Sequence, residues 1–151
     1  MFRNLFAAIC LGGVLLFASG ASADIDTPVG SWVRADGKSV FIIAPCGDGL
    51  CGRIAGFVID NPSAPAPVDW RGQPMCNNQI IFVTPELGVR NRWHGTVTNP
   101  HNGQVWQALL ALVNGNLQFS GYVGVPLFGK TETWTRYEGQ IGPDCRLMDA
   151  G

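Results

Sequence analysis

The chain has 151 residues, 46% of them hydrophobic and 14% charged, with ten basic and eleven acidic side chains. This near-neutral balance, with no basic run, gives no sign of nucleic-acid binding or of attachment to a membrane surface. The length suits one domain with a real core rather than two domains.

Residues 1–23 have the features of a cleaved signal peptide. Arg3 gives a weakly basic start, Leu5 to Phe17 is apolar, and Ala21 to Ala23 is a small-residue cleavage site. The apolar run is shorter than the roughly 20 residues of a membrane span. Cys10 lies inside that run, where a lipoprotein signal would not place it. We expect cleavage before Asp24, no membrane span, and a periplasmic or secreted protein.

The remainder, residues 24–151, is predicted to form strands joined mostly by hairpins. Asp36-Gly37, Asn102-Gly103 and Asn114-Gly115 are strong hairpin signals, because glycine adopts the positive φ that such turns need. No window favours a helix longer than a turn or two. The predicted strands are Gly30–Arg34, Ser39–Ile43, Arg53–Ile59, Gln79–Thr84, Asn91–Thr98, Gln104–Val113, Asn116–Tyr122 and Lys130–Tyr137.

This pattern predicts an all-β domain, a single antiparallel up-and-down barrel of about eight strands. A sandwich is less favoured, since the connections are short and sequential where a sandwich needs Greek-key crossovers. A barrel of this size either packs solid or holds one small ligand. The chain has aromatic side chains in most strands that are available to fill it.

Four cysteines follow the predicted signal peptide, and they allow three pairings: Cys46, Cys51, Cys76 and Cys145. We favour Cys46–Cys51 with Cys76–Cys145, because the first pair is local and lies among glycines. A zinc site would require two close pairs of ligands, and only one exists. No metal site and no cofactor is therefore predicted.

A proline-rich loop over residues 60–74 interrupts the series of hairpins. Proline lacks an amide donor and fixes φ, so this stretch does not belong inside a sheet. Two interpretations stay open. Either the loop is a flap over one barrel end, anchored by Trp70, or it is a surface loop that places Trp70 in the core.

Gly30-Ser31-Trp32 resembles the Gly-x-Trp signature of the lipocalins and other calycins. In that superfamily the tryptophan closes one barrel end and an arginine of the last strand packs across it. Here alternation places Glu132, Trp134 and Arg136 on one face of the last strand. The resemblance implies a lipocalin-like barrel in which Arg136 stacks on Trp32 or Trp134.

Two longer blocks, residues 45–54 and 121–136, carry a more specific resemblance. Together with the features above, they resemble a family of small exported bacterial proteins that is known only as a domain of unknown function. The resemblance implies a calycin-like barrel in the periplasm, and it brings no catalytic residue with it.

The residues favour a binding role over catalysis. His94 and His101 are isolated and have no matched nucleophile, so the chain is not expected to be an enzyme. We predict a binding module for a small apolar or amphipathic ligand, with Trp32, Trp134 and Arg136 at the closed end and Trp70 on the flap. The alternative is a filled barrel with a structural or protein-docking role in the cell envelope.

Overall fold

The computed structural model of the chain describes residues 27–123 and 129–148. The signal peptide predicted over residues 1–23 lies outside these ranges. Eight strands alternate with turns: β1 (Gly30–Val33), β2 (Ser39–Cys46), β3 (Gly49–Phe57), β4 (Gln79–Pro85), β5 (Arg92–Thr98), β6 (Val105–Val113), β7 (Asn116–Tyr122) and β8 (Lys130–Arg136).

Each strand pairs antiparallel with the next, and β1 also pairs with β8, which closes the barrel. Trp32 lies opposite Arg136 in this closing pair. The prediction of an all-β, up-and-down barrel of eight strands is confirmed. This closing ladder is short, with Val33 opposite Thr135 as its second pair.

The hairpin signals lie where the chain reverses. Asn114 and Gly115 have φ values of 52° and 77°, and they join Val113 directly to Asn116 across the β6–β7 ladder. These are the left-handed angles that a two-residue primed turn requires. The Asn114-Gly115 pair therefore predicted both residues of this turn correctly.

The β2–β3 hairpin is longer than predicted. The sequence suggested that β2 ends at Ile43 and that β3 begins at Arg53, whereas pairing continues to Cys46 and resumes at Gly49. Glycine and proline disfavour strands locally, but ladder pairing and the disulfide override that preference here. The turn itself is only Gly47 and Asp48.

The barrel has two different ends. The closed end carries residues 27–29 and the turns at 47–48, 86–91 and 114–115. The open end carries the turn at 34–38, the loop at 99–104 and a long connection over residues 58–78, named here the roof segment. The core lies between the two ends and includes Trp32, Ile43, Val83, Leu110 and Trp134.

Each end has one disulfide. Cys46–Cys51 closes the β2–β3 hairpin at the closed end, with a Cα–Cα distance of 5.7 Å. Cys76–Cys145 joins the roof segment to a short 3₁₀ turn, Pro143–Cys145, with a Cα–Cα distance of 5.5 Å. Since disulfides persist in oxidising compartments, the two bonds indicate a non-cytoplasmic protein.

A helix long and apolar enough to cross a membrane is absent from the described residues.

Candidate ligand-binding cavity

The closed end is built around a cation–π pair. The guanidinium carbon of Arg136 lies 3.9 Å from the centroid of the Trp32 ring, which is fully buried. Arg136 donates Nη1 to the Val29 carbonyl and Nη2 to the Thr27 carbonyl, each at 2.7 Å. Burial lowers the pKa of Arg136, yet an arginine stays protonated at neutral pH. Of the two stacking partners that the sequence suggested, Trp32 is the one observed.

Gly30 leaves the space that this pair needs. Its φ of 135° is a conformation that L side chains rarely adopt, and a Cβ there would collide with Nη1 of Arg136. The indole Nε1 of Trp32 donates to the Pro28 carbonyl at 2.7 Å. The polar atoms of this cluster are thus paired around a buried ring.

Trp134 lies on β8 two residues before Arg136. Its side chain lies between that cluster and the interior of the barrel on the open-end side. Its ring stacks between Phe41 and Phe119, with centroid distances of 4.8 and 4.7 Å and interplanar angles of 9° and 13°. Near-parallel stacking of this kind adds stability beyond the area that the rings bury. The three rings span the barrel from β2 to β7 and separate the closed end from the space above.

A cavity of about 530 Å³ lies above this stack and reaches the open end. Strands β2 to β8 line it mainly with apolar and aromatic side chains, among them Phe41, Ile54, Ile81, Val97, Trp106, Phe119 and Trp134. Near the rim the lining becomes polar, with Ser39, Thr98, Asn99, His101 and Lys130. The cavity is therefore apolar at depth and polar at its mouth.

An ion pair crosses the cavity wall between β1 and β8. Arg34 donates Nε to Glu132 Oε2 at 2.9 Å and Nη2 to Oε1, and Trp134 Nε1 donates to Oε2 at 3.1 Å. The hydrogen bonds from Arg34 are the main cause that lowers the pKa of Glu132, although burial opposes them. The same bonds raise the pKa of Arg34. Both groups therefore stay charged at neutral pH and hold the Trp134 ring in place.

The roof segment is fixed by a buried carboxylate. Asp69 Oδ1 accepts from the amides of Arg71 and Gln73 at 2.8 and 2.9 Å, and Oδ2 accepts from Asn78 Nδ2 at 3.0 Å. Oδ2 also pairs with the guanidinium of Arg71. Burial raises the pKa of Asp69, but these bonds outweigh it, so the pKa lies below its ordinary value. Pro67 and Met75, on either side of Asp69, line the cavity.

Trp70 lies outside the cavity lining. Its side chain is 43% exposed, its amide donates to the Pro100 carbonyl, and Arg71 lies 4.5 Å from its ring. Gly103 lies against the ring so closely that a Cβ would collide with it. The interpretation that placed Trp70 in the core is wrong, because its side chain is exposed. Met75 is the residue of the roof segment that belongs to the core. Trp70 joins the roof segment to the loop at 99–104.

Comparison with protein families matches residues 30–136 to uncharacterized proteins conserved in bacteria (DUF2147). The chain belongs to this family. The match begins at the first residue of β1 and ends at Arg136, so it spans the whole barrel. The resemblance to a bacterial family known only as a domain of unknown function is thereby confirmed. Neither the curated proteins nor the solved structures gave a match.

The structure separates the four residues that the sequence grouped into one site. Trp32 and Arg136 are together at the closed end, Trp134 lines the cavity, and Trp70 braces the roof segment. The binding role of these four stays a prediction. Three further lining residues could have been predicted from the alternation of side chains along a strand. Arg34 follows Trp32 by two positions, and Glu132 and Lys130 precede Trp134 by two and four positions. No sequence signal pointed to Asp69.

The two histidines lie on different elements of the barrel. His94 is exposed on β5 between inward-facing neighbours, and His101 lies at the cavity mouth. Within residues 27–123 and 129–148, no three His, Cys, Asp or Glu side chains come close enough to hold a metal.

Proposed function

We propose that this protein is a periplasmic or secreted carrier that binds one small apolar or amphipathic molecule inside its barrel. The observation that carries the proposal is the cavity of about 530 Å³. Small-molecule sites commonly occupy about 300–1,000 Å³ and are apolar with a few polar groups. A filled barrel, which the alternative structural role requires, would leave no such space.

The four residues predicted from the sequence take different parts in this proposal. Trp134 is the contact surface for the ligand, together with Phe41 and Phe119. Trp32 and Arg136 seal the closed end and do not touch the ligand. Trp70 holds the roof segment, from which Pro67 and Met75 reach the cavity.

A substitution that fills the cavity tests the proposal. Gly121 lines the cavity, and a Cβ there would meet Phe119, Trp106 and Val97 only at ordinary contact distances of 3.7–3.9 Å. The G121L variant should therefore fold and occupy the binding space. Thr133→Leu, which adds the same side chain on the outward face of β8, is the matched control.

Dodecanol, titrated below its solubility limit and followed by tryptophan fluorescence, is a suitable neutral probe. We expect binding by the native protein and by Thr133→Leu, and a loss of at least about tenfold in affinity in G121L, equal to about 1.4 kcal/mol. Equal binding by all three proteins would place the probe outside the barrel and overturn the proposal.

The export part of the proposal has its own measurement. Signal cleavage before Asp24 would give a chain of residues 24–151 with four oxidised cysteines. The intact mass of protein recovered from an oxidising periplasm should match that chain less four hydrogens. A mass that includes residues 1–23 would contradict cleavage.

A further inference from the structure

We infer that the ligand is a single-chain amphiphile whose anionic head group lies at Lys130, with its alkyl chain directed down to Trp134. This inference rests on the proposed function and adds the chemical class of the ligand. It depends on how charge is arranged along the inward face of β8.

Three inward residues of β8 line the cavity, from mouth to floor: Lys130, Glu132 and Trp134. Alternate residues of a strand are about 6.6 Å apart, so the Cα atoms of Lys130 and Trp134 are separated by roughly 13 Å. This distance suits an extended alkyl chain with its polar end at the mouth. The stacked rings at the floor offer only apolar contact to the far end of the chain.

The negative charge of Glu132 is already balanced by Arg34. Both of its oxygens accept hydrogen bonds from Arg34, and one also accepts from Trp134. A cationic head group would have to displace Arg34 from this carboxylate, which breaks charge-assisted hydrogen bonds and leaves Arg34 only its longer contact with Asp36 at 3.8 Å. The cavity therefore does not favour a cationic ligand.

Lys130 is the remaining charge of the lining. It takes part in none of the four ion pairs found in residues 27–123 and 129–148, and its side chain is exposed at the mouth. Among the lining residues Arg34 and Glu132 cancel, so Lys130 leaves the lining with one net positive charge. Asp36, which lies outside the lining, also contacts Arg34 at 3.8 Å. Ser39 and Asn99, also at the rim, supply further groups that can hydrogen-bond an anion.

The test compares four amphiphiles of equal chain length below their micelle concentrations: dodecanoate, dodecyl phosphate, dodecanol and dodecylamine. We expect both anions to bind about fivefold more tightly than dodecanol, a size typical of a solvent-accessible ion pair. This preference should shrink as salt rises, because exposed charges are screened. Comparing dodecanoate with dodecyl phosphate separates a carboxylate from a phosphate head group.

Two variants assign the effect to Lys130. K130Q should bind dodecanol as before and lose the preference for anions, whereas K130E should prefer dodecylamine. Lys38→Gln is the matched control, because Lys38 lies in the turn at the same end, outside the cavity lining. It removes the same charge from the protein and should keep the native preference.

The outcomes separate the inference from the function on which it rests. If dodecanol binds as tightly as the anions, or K130Q keeps their preference, the head-group inference is wrong and the carrier proposal stands. If none of the four amphiphiles binds the native protein, the carrier proposal itself fails.

Discussion

Aromatic and charged residues seal the barrel at its closed end, whereas at its open end they line a cavity. At the closed end, the partly buried Arg136 lies against the Trp32 ring and binds two main-chain carbonyls, so that its charge is paired and the ring is covered. At the open end, Arg34 and Glu132 bind each other along the wall and line the cavity. In this barrel the buried ring that carries a stacked charge lies at the closed end, and the ion pair along the wall borders the cavity.

The disulfides of the two ends differ in how far apart along the chain their cysteines lie. Cys46–Cys51 spans five positions within one hairpin, whereas Cys76–Cys145 spans 69 and joins the roof segment to the C-terminal turn. The closed end is therefore held mainly by packing and local turns. The open end depends on long-range connections, including the bond from the Leu147 amide to the Phe57 carbonyl.

Removing the open-end disulfide should have the largest effect. In the chain-entropy model, loss of Cys76–Cys145 destabilises by about 4 kcal/mol, against about 2 kcal/mol for Cys46–Cys51. Urea unfolding of the two Cys→Ser double variants would measure both values. Since only the first variant frees the roof segment, it should also weaken dodecanol binding. Equal losses of stability would contradict the contrast between the two ends.

Arg136→Met should destabilise the closed end by about 3 kcal/mol. The substitution removes the cation–π contact and two charge-assisted hydrogen bonds, and it leaves the carbonyls of Thr27 and Val29 unpaired. Arg90→Met removes the same charge from an exposed loop at that end and should change stability little. Urea unfolding compares the two variants.

The dodecanol affinity of the Arg136→Met variant tests whether Arg136 contacts the ligand or only stabilises the closed end. The folded fraction of Arg136→Met should bind dodecanol normally, because Arg136 does not line the cavity. A protein that keeps its stability but loses dodecanol binding would show that Arg136 contacts the ligand, and it would contradict the separation of the two ends.

Acid should destabilise the open end by a smaller amount. The pKa values of Glu132 and Asp69 are lowered in the folded protein, so their stabilisation is complete above their unfolded values, near pH 4, and is lost as the pH falls through the folded values. Glu132→Gln should reduce the fall in urea midpoint between pH 6 and pH 3. Glu138→Gln, at an exposed carboxylate of the closed end, should leave that fall unchanged.

The sequence determined much of the barrel because its signals are local. The pair Asn114-Gly115 defines a turn, and alternation on β8 correctly placed Glu132, Trp134 and Arg136 on one face. The β2–β3 hairpin was underestimated because glycine and Pro45 disfavour strands, whereas the ladder and the disulfide that extend it involve both strands at once.

The cavity could not be predicted in the same way. Whether a barrel of eight strands is hollow depends on the summed volume of inward side chains from every strand, and alternation gives their direction but not how they fit together. The sequence therefore grouped Trp134 with Trp32 and Arg136, although the stack with Phe41 and Phe119 lies between them and the cavity. Asp69 was missed because its role arises from hydrogen bonds within an irregular segment.

The most direct test of the account follows the five tryptophan indole N–H signals by NMR during a dodecanol titration. These signals report both ends of the barrel at once, since Trp106 and Trp134 line the cavity and Trp32 is enclosed at the closed end. We predict that the Trp106 and Trp134 signals shift and saturate together while that of Trp32 stays fixed. A titration that moves Trp32, or that moves only the exposed Trp70, would contradict a ligand site in the open-end cavity.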